Sequence, residues 1–393
     1  MTFMRRALWN QQMDKSQNHP KPIWLFIAVM IAGIAARLLV ATRGQNYDMN
    51  SWQIVAGIVD HGGNVYASTE RYNYGPVWFP VLHALDALAG HNQTVFRYLV
   101  SGFLSLVDAG IFFILWRKFG MLAASFFFLN PVSVIITGFH SQFDNLAVLL
   151  GLLAALLIGD EFDRPINRRK FFGLLVLGIS LATKHVLFAF PFWLAVKQKG
   201  ALHKLMILLV PVAIFAAGFL PFWTEGKHGI IQNVFLYRSR VNEYFYHFFV
   251  PTGVQIMFDS QMIWFILLVI FAFIFRQRNI VESLFLYTCL LVGTSPAIVN
   301  QYLAIPMPFI ATHLNLFSIL YAIAATLFLL VDADGLHFTG LIFGKSDDIS
   351  IGLLCVAICM LCLALVWVTW RQNIKTLLEM CVFEVKNQFS FKK

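Results

Sequence analysis

Charged residues are scarce in this chain. Asp, Glu, Lys and Arg make up 12% of its 393 residues, about half the share of a typical soluble domain, whereas apolar residues make up 59%. So little charge excludes a water-soluble globular protein and predicts a polytopic membrane protein. The sequence also lacks a low-complexity linker and an internal repeat. We therefore predict a single integral-membrane domain over residues 1–393, with an all-α fold.

Cysteine is rare as well, and its pattern excludes two kinds of site. The five cysteines are Cys289, Cys355, Cys359, Cys362 and Cys381. Three of them share one apolar segment without a histidine or an acid beside them, which matches neither a zinc motif nor a disulfide framework. We interpret them as lipid-facing or packing residues. No Gly-rich phosphate loop occurs either, so we expect no soluble nucleotide-binding domain.

Apolar runs separated by short polar breaks are what the chain has in abundance. They predict a bundle of about 11–13 transmembrane helices, the first of them uncleaved. The spans fall near residues 23–42, 96–116, 121–138, 145–159, 171–183, 185–196, 205–222, 259–275, 281–296, 299–313, 314–331 and 350–370. Residues 76–90 are the ambiguous segment, because a helix of this length reaches about 22 Å and the hydrocarbon layer is about 30 Å thick.

The distribution of Lys and Arg tests whether residues 76–90 cross the membrane, because these residues concentrate in short cytoplasmic loops. With a cytoplasmic N-terminus and no crossing there, twenty lie inside and eight outside, and Arg37 lies within the first span. With a crossing, ten lie inside and eighteen outside. We therefore predict that residues 76–90 lie along the outer surface or re-enter, and that both termini are cytoplasmic.

This topology places two long loops on the external side, residues 43–95 and 223–258. Near the start of the first loop, the stretch GQNYDMNSWQIV carries Asp48 soon after the first apolar run. Apolar residues then recur at helical spacing as far as Gly62 and predict an amphipathic helix on the membrane surface. They are Met49, Trp52, Val55, Ala56 and Val59. The net charge of +9 suits anionic headgroups, so we expect membrane lipids and no nucleic acid as partners.

Ionisable side chains at membrane depth are costly unless they line a cavity or find partners, so their positions mark candidate sites. In the predicted topology five polar clusters face the external side, which favours one shared site. The candidate residues are Asp48 and Arg71; His140, Gln142 and Asp144; Lys184 and His185; Arg238 and Arg240; and Gln301 and Tyr302.

Several of these residues also have a purely structural interpretation. Asp48 and Asp144 each stand where a helix begins, and there an acid caps free backbone N–H groups. A capped carboxylate has a lowered pKa and stays ionised, so for Asp48 capping and base catalysis are compatible. His140 is placed to cap the preceding helix and Lys184 to extend towards the membrane surface. The arginines of the second long loop suit lipid headgroups.

These elements occur together in the order of a known protein class. The acid in NYDMNSW is followed by GGNVYASTERYNYGPVWF, by a turn between Asn130 and Asn145 that contains HSQFDN, and by TKH and QYL-x-x-P elements. From about residue 23 to residue 310 the chain resembles the GT-C class of integral-membrane glycosyltransferases. It is most similar to polyprenyl-phosphate-mannose-dependent mannosyltransferases and to the glucosyltransferases of N-glycan assembly.

The resemblance implies a GT-C-like bundle with surface helices in the first external loop, and it implies roles for some residues. Asp48 corresponds to the catalytic acid of that loop, a general base on the acceptor hydroxyl. The HSQFDN turn is similar to the motif of the second external loop, and Lys184 stands where a membrane-embedded lysine occurs in the eukaryotic glucosyltransferases. Metal-dependent members often show paired acids, whereas Asp48 is followed by Asn50. One carboxylate provides poorly for a divalent ion, so we predict a metal-independent site without a cofactor.

The residue types suit the implied chemistry. Transfer of a sugar from a polyprenyl phosphate needs a base for the incoming hydroxyl and cations for the departing phosphate. Asp48 is the candidate base, and the candidate cations are Arg71, Lys184, Arg238 and Arg240. We therefore predict an inverting hexosyltransferase that moves mannose or glucose to a glycan or glycolipid acceptor on the external or lumenal face. A bacterial plasma membrane is the favoured location, with the ER membrane as the alternative.

Three other functions compete with this prediction. A secondary transporter would carry polar residues near the bilayer midplane in two related halves, and the sequence contains no such pair of halves. A membrane O-acyltransferase would use His140 or His185 and would leave Asp48 without a role. The third is a non-catalytic lipid-binding or scaffold protein.

Overall fold

The computed structural model describes residues 23–237, 247, 250–332, 334–336 and 347–390. Arg238 and Arg240 lie outside the described residues. Within these ranges the chain forms eighteen α-helices and no strand, which confirms the all-α prediction. The first nine are α1 (Ile23–Ala41), α2 (Tyr47–Asp60), α3 (Val65–Ser68), α4 (Trp78–Leu88), α5 (Gln93–Phe119), α6 (Met121–Phe128), α7 (Pro131–Gly138), α8 (Asp144–Ile158) and α9 (Arg168–Thr183). The others are α10 (Phe190–Ala195), α11 (Ala201–Ala217), α12 (Trp223–Gly229), α13 (Thr252–Met257), α14 (Ser260–Ile274), α15 (Ile280–Gly293), α16 (Met307–Thr312), α17 (Leu316–Val331) and α18 (Asp347–Ser390).

Four helical segments of the described chain are long and apolar enough to cross a membrane. They are Ile23–Ala41, Gln93–Phe119, Ala201–Phe235 and Ile349–Arg371. A fifth results if α6 and α7 form one span. The apolar helices α8, α14, α15 and α17 have 14 to 16 residues each, so the predicted total of about 11–13 crossings stays a prediction.

Prolines divide three of the predicted spans. The run at residues 121–138 forms α6 and α7, which are bent by 46° where Asn130 caps the second helix and Pro131 begins it. The run at 185–196 forms a 3₁₀ turn and then α10, which has Pro191 in its first turn. The run at 299–313 likewise forms a 3₁₀ segment, Asn300–Ala304, followed by α16.

The first loop contains the predicted helix, but the apolar face of this helix meets protein. Helix α2 spans Tyr47–Asp60 and buries Met49, Trp52, Val55 and Ala56. Its main partner is α4, which has 11 residues and is too short to cross a bilayer. Trp52 and Trp78 lie edge to face at 6.2 Å, within an apolar cluster separate from the core of the bundle. The prediction of a helix was correct, and the prediction that its apolar side rests on the membrane was wrong.

Phe143 joins this loop cluster to the bundle. It lies in the turn between α7 and α8, fully buried, and its ring stacks on Trp78 at 4.4 Å. The residues on either side of it in the sequence are Gln142 and Asp144. The loop and the turn therefore meet at the end of the bundle where the candidate polar residues lie.

Candidate functional site

Asp48 lies in the first turn of α2 and does not cap this helix. The N-cap is Asn46, whose side-chain oxygen accepts the backbone N–H of Asp48 at 3.1 Å. The capping role proposed for Asp48 was therefore wrong. Its carboxylate is left to side chains from other parts of the chain.

A chain of side-chain contacts runs from Asp48 to Asp144. The amide N–H of Gln142 donates to Oδ2 of Asp48. The carbonyl oxygen of Gln142 lies 3.5 Å from Nζ of Lys184, and this ammonium group pairs with Oδ2 of Asp144 at 2.6 Å. Three of the predicted clusters, from the first loop, the turn and the end of α9, thus meet in one network.

Lys184 is buried, and its side chain does not extend to the surface as the alternative interpretation held. Its ammonium group lies 4.8 Å from the ring centre of Tyr74 and 4.9 Å from that of Phe143. Asp144 is not an N-cap either, because the cap position of α8 is Phe143 and has no side-chain hydrogen bond. The carboxylate of Asp144 instead neutralises Lys184.

Gly75 allows the loop that carries Tyr74 to reach this position. A Cβ atom at residue 75 would clash with the backbone carbonyl of Ala182, two residues before Lys184. The backbone N–H of Val77 also donates to that carbonyl, at 3.4 Å. Close backbone contact therefore sets the distance between Tyr74 and Lys184.

The hydrogen bonds of Asn46 fix the tautomer of His140. The Asn46 side-chain oxygen accepts from a backbone N–H, so its nitrogen is the donor that lies 3.2 Å from Nδ1 of His140. A ring nitrogen that accepts carries no proton, and the proton of His140 is therefore on Nε2. Nε2 is buried and has no partner among the described residues. Burial lowers the pKa of His140 to about 4, partly offset by Asp332, so the ring is neutral at pH 7. The helix-capping interpretation of His140 was wrong.

Burial and hydrogen bonding act in opposite directions on Asp48. Burial is the largest effect and raises the pKa of Asp48 above its ordinary value, while Lys184, Gln142 and Asn46 lower it. Asp334 adds a smaller upward effect. The expectation of a lowered pKa was therefore wrong, because it rested on a cap that Asn46 provides. A raised pKa makes Asp48 a stronger base than an ordinary aspartate.

The other predicted residues lie further from Asp48 or lack a described contact with it. Arg71 is exposed, and its guanidinium lies 4.8 Å from the ring centre of Tyr47, the residue before Asp48. Tyr302 is partly buried in the 3₁₀ segment that precedes α16. Gln301, its neighbour, is also partly buried. His185 has no partner for Nδ1 among the described residues.

No group of three or more His, Cys, Asp and Glu side chains within the described residues is placed to hold a metal ion. Asn50 is the asparagine of the D-x-N motif that begins at Asp48. Its side-chain oxygen accepts hydrogen bonds from the side-chain amides of Gln45, at 3.2 Å, and Gln93, at 3.3 Å. Metal independence stays a prediction. The four cysteines whose side chains are described are free.

Sequence reasoning missed several residues of this region. Asn46 and Tyr74 stand in stretches that were singled out, but neither was named as a site residue. Both were recognisable as polar groups close in sequence to Asp48 and Arg71. Asp108, which forms a buried ion pair with Arg37 at 2.8 Å, was also missed. An acid in the middle of a predicted span was the signal.

The network supplies a carboxylate acceptor, a buried cation and a neutral imidazole donor within one region. Exposed Arg71, which lies against the ring of Tyr47, adds a second cation in the first loop. Such a set of groups can accept a proton from a hydroxyl and stabilise an oxyanion. No family model and no curated protein matches the chain.

Proposed function

We propose that this protein is a membrane glycosyltransferase that moves a hexose from a polyprenyl phosphate to a hydroxyl group of a glycan or glycolipid acceptor. The observation that carries the proposal is the contact between Asp48 and Gln142, which is continued to Lys184 and Asp144. It gives one end of a membrane bundle a carboxylate of raised pKa that side chains orient.

The reaction is a single displacement. The acceptor hydroxyl gives its proton to Asp48 while its oxygen attacks the anomeric carbon of the donor sugar. The bond between that carbon and the phosphate oxygen breaks, and its electron pair leaves with the polyprenyl phosphate. Attack from the side opposite the leaving group inverts the anomeric centre. Asp48 then releases the proton to solvent, to which it is partly exposed.

Lys184 and Arg71 have different roles in the proposed reaction. Lys184 is neutralised by Asp144 and accounts for the orientation of Gln142, so its main role is to organise the base. Arg71 is exposed and forms no ion pair with a described acid, which suits a group that awaits a phosphate. His140 Nε2–H is a third donor for a ligand oxygen. Arg238 and Arg240 stay candidates from the sequence.

The proposal includes a GT-C-like bundle of about 11–13 crossings, with this site on the external face and the termini in the cytoplasm. The twenty-to-eight distribution of Lys and Arg supports that orientation. A donor anchored in the bilayer also suits a chain without a Gly-rich phosphate loop. A bacterial plasma membrane stays the favoured location, with the ER membrane as the alternative.

The competing functions account for fewer of the contacts. An O-acyltransferase needs a histidine base. The tautomer of His140 leaves its free nitrogen already protonated, and the described structure shows no side-chain hydrogen bond from His185 to the network. A transporter would use ionisable groups inside the bundle, as at Arg37 and Asp108. This pair is closed by hydrogen bonds to Gly33, Phe128 and Ser133, which suits a fixed structural element better than a moving gate.

Asp48→Asn tests the proposal directly, because it keeps the shape of the side chain and removes its basicity. Purified full-length protein in nanodiscs would be assayed with polyprenyl-phosphate mannose and glucose and a panel of glycolipid acceptors. We expect transfer by the wild type and a loss of about two to four orders of magnitude in the variant, with the melting temperature and donor binding retained. Full activity of Asp48→Asn would disprove the assignment. Asp60→Asn serves as the matched control, since it makes the same chemical change at the other end of α2, where the Asp60 side chain is 37% exposed.

A further inference from the structure

One face of α5 is polar although the helix lies within the bundle. Ser101, Ser105 and Asp108 follow one another at i, i+4 and i+7, and each is at most 1% exposed. The rest of the buried surface of α5 is almost entirely apolar. Buried polar groups are kept where they find partners, so these three residues raise the question of what they hold.

Asp108 holds both flanks of the turn between α7 and α8. Its Oδ2 accepts from Thr137 at 2.7 Å, and its Oδ1 accepts from the side-chain amide of Asn145 at 2.8 Å. Arg37 from α1 neutralises it. Asn145 follows Asp144 directly, so the first turn of α8 is bound on one side to Asp108 and on the other to Lys184.

Ser101 holds the middle of the same turn. Its hydroxyl donates to the backbone carbonyl of Gly138 at 3.0 Å and lies 3.2 Å from the hydroxyl of Ser141. Ser141 has a φ angle of 51°, in the left-handed region that side chains with a Cβ rarely adopt. The contact with Ser101 thus helps to keep a strained residue in place, directly before Gln142.

Ser105 lies between Ser101 and Asp108 on α5, and its hydroxyl group does not contact the turn in the described structure. Its hydroxyl donates to the carbonyl of Ser101 within the same helix, at 2.6 Å. It is of the same residue type as Ser101, on the same face and equally buried. Ser105 therefore provides an internal comparison for Ser101.

We propose that Ser101 and Asp108 are positioning residues of the transfer reaction, which hold the α7–α8 turn so that Gln142 and Asp144 meet Asp48 and Lys184. The inference rests on the proposed function. It assigns a catalytic consequence to a polar face that touches neither Asp48 nor a substrate. Misplacement of a positioning group by about 1 Å can cost about 100-fold in rate, so we expect the loss of the Ser101 contact to lower the rate.

The test compares Ser101→Ala with Ser105→Ala in the full-length protein in nanodiscs. We expect Ser101→Ala to lower kcat about tenfold or more, with KM for the polyprenyl-phosphate hexose changed less than about twofold. We expect Ser105→Ala to leave both constants unchanged. Each variant removes one serine hydroxyl group from the same face of α5, so equal effects on kcat would overturn the proposal.

A rescue variant separates positioning from a general loss of packing. Glycine adopts the left-handed conformation without strain, so Ser141→Gly removes the strain at residue 141 that the Ser101 contact offsets. We expect Ser101→Ala/Ser141→Gly to recover at least a third of the rate lost in Ser101→Ala. If Ser101→Ala acted only by loosening the packing, the added Ser141→Gly would recover none of the rate. Asp108→Asn leaves Arg37 buried with weaker compensation, which destabilises the fold, so it is only a secondary variant.

Hydrogen–deuterium exchange makes the test independent of the assay. Amides of residues 138–146 should exchange faster in Ser101→Ala than in the wild type, and at the wild-type rate in Ser105→Ala. Unchanged exchange in Ser101→Ala would refute the holding role. A wild type that transfers no sugar from any polyprenyl phosphate would instead disprove the proposed function, whatever the exchange shows.

Discussion

The side-chain amide of Gln142 donates a hydrogen bond to Oδ2 of Asp48. Burial favours the protonated form of a carboxylate, and a donor of this kind favours the ionised form. Gln142 is in turn oriented by Lys184, which lies 3.5 Å from its carbonyl oxygen. The basicity of a residue in the first loop therefore depends on a turn and on a helix end that lie 94 and 136 residues further along the chain.

The pH dependence of transfer should report this arrangement. Because burial raises the pKa of Asp48, we expect kcat/KM to rise with pH along an acidic limb that lies above the ordinary range of an aspartate. Gln142→Met removes a donor that stabilises the carboxylate, so the pKa of Asp48 rises further and the limb moves to higher pH. The measurement is a pH–rate profile of both proteins.

Gln93→Met is the control for that profile, since Gln93 bonds to exposed Asn50 in the same loop. The acidic limb of kcat/KM for Gln93→Met should coincide with that of the wild type. A limb for Gln142→Met that stays in place or moves to lower pH would contradict the assigned role of Gln142.

The buried pair of Lys184 and Asp144 should behave unlike an exposed ion pair. Lys184→Met leaves a carboxylate buried without its partner, and we expect a loss of about 3–5 kcal/mol in the free energy of unfolding. Lys184→Met/Asp144→Leu removes both charges and should recover most of that stability but none of the transfer activity. Thermal unfolding and sugar transfer, measured on the same preparations, check both statements.

Lys199 and Asp163 provide the comparison, because they pair at 2.9 Å while 77% and 74% exposed. Lys199→Met should cost less than about 1 kcal/mol. Equal losses for Lys199→Met and Lys184→Met would show that the burial of Lys184 has no energetic consequence.

Arg71 should affect the binding of the donor more than the basicity of Asp48. Arg71→Ala removes the exposed guanidinium that we propose for phosphate binding, so we expect KM for the polyprenyl-phosphate hexose to rise about tenfold, with the acidic limb of the pH profile unchanged. Arg71→Lys should recover part of the effect because it keeps the charge and loses the planar fork. Lys227→Ala, which removes another exposed cation, should leave KM as it is.

Gly75 should tolerate no side chain. A methyl group there meets the carbonyl of Ala182, so Gly75→Ala must shift the loop away from α9 and separate Tyr74 from Lys184. We expect a lower melting temperature and a loss of transfer of at least tenfold. Gly57→Ala has open space around it within α2 and should be neutral or stabilising. A fully active Gly75→Ala variant would rule out the loop contact as a requirement.

Chelation tests the metal prediction. We expect transfer by the wild type to survive EDTA in excess over all divalent ions, because the D-x-N motif provides one carboxylate. The assay should be preceded by dialysis, and MgCl₂ and MnCl₂ should be added back separately. Activity that disappears with EDTA and returns with either salt would refute metal independence.

The sequence predicted local features of this protein better than long-range ones. The start and end of α2 followed from the spacing of its apolar residues and from Gly62, because helical periodicity is a property of neighbouring residues. What covers the apolar face of α2 depends on Trp78 and Phe143, which are distant in sequence, so periodicity alone suggested a membrane surface.

The site showed the same limit. Asp48 and Asn46 are both good capping residues two positions apart, and only the folded backbone decides that Asn46 is the cap. The pairing of Asp144 with Lys184 depends on the packing of α8 against α9, which no local pattern encodes. The polar face of α5 could have been predicted from the sequence, because Ser101 and Asp108 lie at helical spacing on one side of an apolar helix.

The apolar cluster around Trp52 and Trp78 has a consequence for biosynthesis. The same cluster includes Ile230 and Val234, so the first loop cannot complete its core until roughly 150 further residues have been made after Trp78. At about 5–20 residues per second this takes roughly 8–30 seconds, during which large aromatic side chains lack their final cover. Nascent chains halted before residue 230 should therefore be captured by insertion factors or proteases that recognise exposed aromatic residues, and longer ones should escape.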